Sequence, residues 1–355
     1  MKVRPFLVVG AGAVGTYVGG SLALHGYPVV WLVRPGHVAT LQAQGIRLYL
    51  PFGEYHLPPA PLATSWHEAL DLARRHGVTY EGLVLAVKGY HLESLLPQLE
   101  AHRRRLPPIL SLLNGVGAEE ALAQVVGREK VVYGTLLTAV ERLDLGAVRV
   151  SKFRGMGLEA NHPVAPRWHR IFEAARMAPR LYPDPAAMKW SKLLTNLVAN
   201  SLSALLDWPP DQIYRHPLTC RWEMAQLREA LAVMNALGVP VVNLPKTPVK
   251  ALAWTVRRLP PGLACPVLRP LVAGGRGGKM PSFHRDLHQG PGRTEARWYH
   301  GPVVRYGREK GVPTPVHVAL LRIFQAIEAG EIPPHHFRHN PQALQAHLAA
   351  PSSSP

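Results

Sequence analysis

The run Gly10-Ala11-Gly12-Ala13-Val14-Gly15, directly behind the apolar stretch Phe6-Leu7-Val8-Val9, constrains this chain more than any other feature. A glycine pattern of this kind is weak alone and becomes specific when a strand precedes it and a helix follows. Gly10 permits the tight turn, Gly12 lets the backbone approach a pyrophosphate, and Gly15 lets helix and strand pack closely. Gly15 to Leu24 reads as that helix, whose N-terminal N–H groups and positive dipole end suit phosphate. Gly26 breaks it before a second apolar run, Val29 to Val33. The result is a βαβ unit at the very start of the chain.

The residue that ends the second strand selects the dinucleotide. An Asp or Glu there would accept hydrogen bonds from a ribose diol. The sequence instead reads Trp31-Leu32-Val33-Arg34-Pro35, with no acid. A guanidinium grips a 2′-phosphate bidentately, so Arg34 points to NADPH. The glycine run, Ala11, Ala13 and Val14 included, with Arg34 forms the expected cofactor-binding set.

Leu83 to Val87 and Ile109 to Leu113 continue as buried strands, and Val131 to Thr138 and Ala147 to Ser151 as later ones. Strands alternating with helices predict an α/β fold, a Rossmann doubly wound parallel sheet. From Ala186 the chain turns helical, with Met188 to Leu206, Leu218 to Leu237, a Pro-broken stretch from Leu244 to Leu271, Arg293 to Lys310 and Pro315 to Ala329. The expected domains are 1–180, the dinucleotide-binding sheet, and 186–330, mainly α-helical, followed by a weakly ordered tail, 331–355. Gly274-Gly275-Arg276-Gly277-Gly278 reads as a mobile loop.

No window approaches the roughly 20 apolar residues of a membrane helix, and Met1 to Val9 lack the marks of a signal peptide. Cys220 and Cys265 are too few for a disulfide framework and lack metal-site spacing, which predicts a reduced, cytoplasmic protein without a metal. The formal net charge of +17 invites a polyanion. Its Arg residues are scattered, however, among them Arg103 to Arg105, Arg257-Arg258 and Arg308, with no interleaved aromatics. An anionic cofactor and substrate also favour a positive field. No dedicated nucleic-acid partner is expected. The apolar stretch Leu218 to Leu237 suits a homodimer interface or a core equally well.

Three places in the chain carry candidate chemistry. Lys88 after Ala86-Val87, and Asn114-Gly115 after Leu113, fall where strands end at the ligand-binding edge of the sheet. Taken singly, Lys88 is a ligand of cofactor or substrate anions or a solvated lysine, and Asn114-Gly115 a ligand or a turn. Lys192, Asn196 and Asn200 recur at i, i+4 and i+8 and share one helical face among apolar neighbours. A partly desolvated lysine can serve as a general acid. The third place is Lys279-Met280-Pro281-Ser282-Phe283, then Arg293-Thr294-Glu295. Ser282 reads as well as a loop residue, and Thr294-Glu295 as a helix start.

With these motifs in order, the chain resembles the ketopantoate reductase family (2-dehydropantoate 2-reductases) from residue 3 to about 328. The resemblance implies an N-terminal Rossmann domain for NADPH, a helical domain closing over it, and a small 2-oxo acid in the cleft. It implies Gly10, Gly12 and Gly15 on the pyrophosphate, Arg34 on the 2′-phosphate, and Lys88 and Asn114 on cofactor and substrate. Lys192 matches the catalytic lysine and Asn196 and Asn200 its paired asparagines. Ser282 and Glu295 match the family's Pro-Ser and Thr-Glu positions, which bind the substrate's carboxylate and hydroxyl ends. Gly311-Val312-Pro313-Thr314-Pro315 matches a late turn.

Departures cluster on the substrate side. Ala296-Arg297-Trp298-Tyr299-His300-Gly301 replaces the usual continuation to Asn-Gly, and Asp207-Trp208-Pro209-Pro210-Asp211 stands where relatives often present an Asn. Ser282 and Glu295 stand one residue further apart than expected, across Gln289-Gly290-Pro291-Gly292. The reaction expected is NADPH-dependent reduction of ketopantoate to pantoate, in pantothenate and coenzyme A biosynthesis. A paralogous reductase of another 2-oxo acid or ketone is the first alternative. An NADPH-sensing binding protein with nucleic-acid affinity is the second.

Overall fold

A computed structural model describes residues 3–75, 77, 79–276 and 280–349. Two compact units divide the chain: residues 1–113, 117–189 and 244–247 form one, and 114–116, 190–243 and 248–355 the other. Both families of expected elements are present, an α/β unit and a helical unit.

In the first unit the strands are β1 (Phe6–Val9), β2 (Val29–Leu32), β3 (Ile46–Leu50), β4 (Gly53–Leu57), β5 (Leu62–Ala63), β6 (Gly82–Leu85), β7 (Ile109–Ser111), β8 (Val131–Leu136), β9 (Ala139–Asp144), β10 (Ala147–Lys152), β11 (Met156–Glu159) and β12 (Pro179–Tyr182). Between them run α1 (Ala13–Leu24), α2 (Val38–Gln44), α3 (Trp66–Arg75), α4 (Leu92–His102), α5 (Ala118–Val126) and α6 (Ala165–Ala174). The main sheet has the order β12-β11-β8-β7-β6-β1-β2-β5. Its strands β1, β2 and β6 are buried along their whole length, which is why they read as unbroken apolar runs. The sheet is not wholly parallel as expected, because β8 and β11 pair antiparallel. Trp168 and Phe172 of α6 pack on Phe6 of β1, with ring centroids about 6 Å apart.

A second sheet, β4-β3-β10-β9, escaped the sequence reading apart from the strand at Ala147. Only one face of it is covered: β3 and β4 alternate between less and more exposed residues, and β9 ends in exposed ones. Leu48 and Val148 carry its buried face into the core under α1.

The helical unit begins within α7 (Pro185–Leu197) and continues through α8 (Asn200–Leu206), α9 (Pro210–Arg215), α10 (Pro217–Ala236), α11 (Val249–Arg258), α12 (Pro261–Arg276), α13 (Ser282–His288), α14 (Ala296–Glu309), α15 (Pro315–Glu328) and α16 (Pro341–Ala349). Helix α10 buries Met224, Leu227, Leu231 and Met234, so its apolar face fills the core of its own chain.

Four readings need correction or completion here. The two cysteines are not free thiols: Cys220 of α10 and Cys265 of α12 form a disulfide with Cα atoms 6.2 Å apart. The packing of two helices brings together residues that their sequence spacing does not relate. Residues 331–355, read as weakly ordered, include α16 and bury Phe337 and Leu344. The Gly-rich segment read as a loop starts inside α12, which runs through Gly274 and Gly275 to Arg276; Gly277, Gly278 and Lys279 lie outside the described residues. The single helix expected from Met188 to Leu206 is two helices, broken at Val198-Ala199.

Candidate active site

The glycine run forms the turn between β1 and α1. Gly10 has φ of 100°, and a Cβ on Gly15 would lie 1.9 Å from the Gly10 carbonyl oxygen, so neither tolerates a side chain. Around Gly12 the situation is reversed, for a Cβ there would meet nothing within 4 Å. Gly12 is also the N-cap of α1, with no side chain capping the helix and no acid in its first turn. Uncapped N–H groups beside open space form a cradle that fits a pyrophosphate.

Arg34 follows β2 on the surface, and its Nη2 donates to His91 Nε2 at 2.8 Å. The nearby imidazole of His37 is held below its ordinary pKa by burial first, then by the charges of Arg34 and Arg142. Lys88, partly buried, lies just past the end of β6 and opens the short helical turn Gly89–His91. Arginine, lysine and histidine side chains thus crowd the strand ends beside the glycine turn, a charge distribution suited to a phosphorylated dinucleotide.

The other candidates belong to the helical unit. Lys192 and Asn196 are partly buried and one turn apart on α7. Asn196 Nδ2 donates to Asn114 Oδ1 at 3.4 Å. Asn114 is fixed by the turn behind it: Gly115 has φ of 87°, and Val116 N–H donates to the Trp298 carbonyl at 3.2 Å. A Cβ on Gly115 would come within 2.3 Å of that same carbonyl oxygen, which accounts for Asn-Gly at this place.

Asn200 does not continue the α7 stripe, as the i, i+4, i+8 spacing implied. Ala199 takes a left-handed conformation with φ of 53°, its N–H donates to Glu223 at 2.8 Å, and Asn200 opens α8. The buried carboxylate of Glu223, from α10, thus receives an N–H that a continuous helix would spend on its own ladder. Asn200 is buried and ties two elements. Its Nδ2 donates to Ser282 Oγ at 3.3 Å and its Oδ1 accepts from Phe283 N–H at 3.1 Å. Ser282, at the start of α13, accepts through its oxygen and keeps its own proton to donate. Glu295, only 1% exposed, stands at the N-cap position of α14 without a side-chain capping bond. Thr294 donates through both its N–H and its hydroxyl to Glu328.

Side chains in two of the departures are engaged by partners within the chain. His300 does not line a wall open to substrate; it is fully buried, with Nε2 2.7 Å from Ser201 Oγ and Nδ1 2.9 Å from His317 Nδ1. In the other segment, Asp207 binds His284 at 2.6 Å and Arg338 at 2.8 Å, and Asp211 binds Arg269 and Arg215. Burial alone would raise the Asp207 carboxyl, but the His284 hydrogen bond and the charges of His284, Arg338 and His288 hold it below the usual range.

Sequence reasoning passed over Lys189, one turn before Lys192. In the α/β unit its buried Nζ donates to Glu119 at 2.8 Å and to the Leu113 carbonyl at 2.6 Å, while Ser111 Oγ also donates to Glu119. A lysine on the apolar side of α7 was the available signal. Among the described residues, no group of His, Cys, Asp and Glu could hold a metal ion. No described helix is long and apolar enough to cross a membrane.

Known proteins match most of the chain. The family model "Ketopantoate reductase PanE/ApbA" matches residues 6–160, and its C-terminal counterpart matches 184–328. A 2-dehydropantoate 2-reductase of Archaeoglobus fulgidus is 26% identical over 93% of this chain and 100% of its own length. A PanE/ApbA family ketopantoate reductase structure from Ralstonia eutropha superposes with a TM-score of 0.75 at 25% identity, covering 92% of this chain and 99% of that one. A D-mandelate dehydrogenase solved with NADH and anilino(oxo)acetate shares the fold, with a TM-score of 0.73 at 19% identity over 92% of this chain and 99% of that one.

Proposed function

From the premise that the chain belongs to the ketopantoate reductase family, and is an oxidoreductase that takes a nicotinamide cofactor, we propose that it reduces ketopantoate to pantoate with NADPH. The observation that carries the reading is the polar side chains gathered in the helical unit: Lys192 one turn from Asn196 on α7, Asn196 bonded to Asn114, and Asn200 bonded to Ser282. Arg34, with no acid at the end of β2, supports the phosphorylated cofactor.

Held by Gly10, Gly12, Gly15 and Arg34, a reduced nicotinamide dinucleotide would supply hydride for the C2 carbonyl carbon, whose π pair would move onto the carbonyl oxygen. Lys192, as an ammonium, stabilises that growing charge and gives the oxygen a proton, leaving a 2-hydroxy acid. Asn196 holds Lys192's side of the substrate in register through Asn114. Ser282 donates its proton to the substrate carboxylate, and Asn200, whose amide is used at both ends, contributes by fixing Ser282. Glu295 accepts from the substrate hydroxyl.

Lys192→Ala tests it: NADPH oxidation with ketopantoate should fall by about a hundredfold or more, with NADPH still bound as judged by its fluorescence. Turnover close to that of the unaltered protein would refute the role of Lys192. A second reading, reduction of another 2-oxo acid, draws on the shared fold of D-mandelate dehydrogenase. Comparing kcat/KM over a series of 2-oxo acids decides between the two.

A further inference from the structure

The ends of β2 and β6 carry the same local device. Arg34-Pro35-Gly36-His37 follows β2, and Lys88-Gly89-Tyr90-His91 follows β6; each places a cation, two intervening residues and a histidine. Their backbones agree closely. Arg34 has φ, ψ of −67°, 146° and Lys88 of −72°, 146°, while His37 and His91 both have φ of −94°, with ψ of −14° and −10°. In both turns the histidine N–H donates to the cation's carbonyl at 2.9 Å, and an α-helix begins at the next residue. Strands β2 and β6 lie on either side of β1, whose end is the glycine turn.

The two devices meet through one hydrogen bond, Arg34 Nη2 to His91 Nε2 at 2.8 Å. A guanidinium only donates, so His91 Nε2 is the acceptor and the ring proton sits on Nδ1. The histidine is itself held, by an edge contact with Tyr90 at 4.6 Å between ring centroids, and its carbonyl accepts from Ser94 Oγ. Among the described residues no carboxylate takes the Arg34 guanidinium, and the bond to His91 uses one of its five N–H donors. An unrestrained surface arginine loses rotamer freedom when fixed on a ligand. Fixing it beforehand removes part of that cost.

We propose that His91 is a specificity-determining residue: by accepting from Arg34 it fixes the guanidinium at the end of β1 and sets the preference for a 2′-phosphorylated dinucleotide over an unphosphorylated one. The inference rests on the reading of NADPH as the cofactor. His91 acts through Arg34 and is a positioning residue.

Dissociation constants of NADPH and NADH, measured by fluorescence titration on the full chain, test it. His91→Leu should weaken NADPH about fivefold, the worth of one ordinary hydrogen bond, and leave NADH within about twofold. His91→Gln should recover most of the loss, because its amide oxygen accepts where Nε2 does. Equal weakening of both dinucleotides in His91→Leu, an unchanged ratio, or a Gln variant no better than Leu would overturn the role of His91 alone. If the unaltered protein binds both alike, or if Arg34→Ser keeps a preference for NADPH, the cofactor reading fails and the inference falls with it.

Discussion

Replacing His317 by Gln should flatten the acid side of the stability curve by an amount the structure sets. His317 Nε2 lies 2.9 Å from the Gln226 carbonyl and must carry its proton there, so Nδ1 accepts from His300 Nδ1–H, and His300 Nε2 in turn accepts from Ser201. The chain is closed only with both rings neutral. Burial lowers His317 to about 4, against the effect of the Gln226 bond, and burial followed by the charge of His317 lowers His300 well below its usual value. An unfolded His317 takes up its proton near 6.5 and the folded one near 4, so its contribution is complete above pH 6.5 and drains away as pH falls toward 4. At ~1.36 kcal/mol per pH unit, that gap corresponds to about 3 kcal/mol. Gln can accept from His300 and donate to the Gln226 carbonyl without titrating. Urea denaturation at pH 7.5 and pH 4 should therefore show the unaltered protein losing about 3 kcal/mol more than His317→Gln. Glu229, raised to about 7 by burial against its bonds to Val316 and His317 N–H, works in the opposite direction, its contribution growing as pH falls. Its bonds are to backbone N–H groups that both proteins keep, so it cancels, while His300, which loses only the His317 charge, stays lowered by burial in both. Parallel curves would show that the folded ring titrates freely and would refute the network.

Removing the Cys220–Cys265 link, which spans 45 residues, by a double change to Ser should cost about 4 kcal/mol on the loop-entropy model, read as a lowered urea midpoint. Lys189→Met should cost about 3–5 kcal/mol by stranding the buried Glu119, and Lys189→Met with Glu119→Gln should recover much of it; a double variant as unstable as the single one would show that the pair itself is not the cause.

The parts of the fold that were legible in sequence are those whose side chains are spent on local rules. Phe6 to Val9 and Val29 to Leu32 are buried on both faces and bounded by glycines, so they announce strands. Gly53 to Leu57 and Ala139 to Asp144, with Glu, His and Arg pointing outward, resemble loops until β3 and β10 pair with them. The stripe Lys192, Asn196, Asn200 was found by helical spacing, yet its break at Ala199 depends on Glu223, which no local pattern links to it. Pairing of Cys220 with Cys265 and the burial of His300 have the same origin. A lone histidine reads alike on a wet face or in a core, and only Ser201 and His317 distinguish the two.

The short return of residues 244–247 to the α/β unit has a consequence for how that unit is made. Pro245 rests near Gly155, and the Lys246 ammonium sits over the Phe153 ring, 5.1 Å from its centroid. A ribosome that has delivered every strand through β12 has therefore not yet delivered the whole unit; about sixty more residues must emerge before this last piece can dock. Expression of the sheet alone, cut at residue 180, would leave Phe153 uncovered, and any such fragment should be extended or circularly rejoined to include the 244–247 segment.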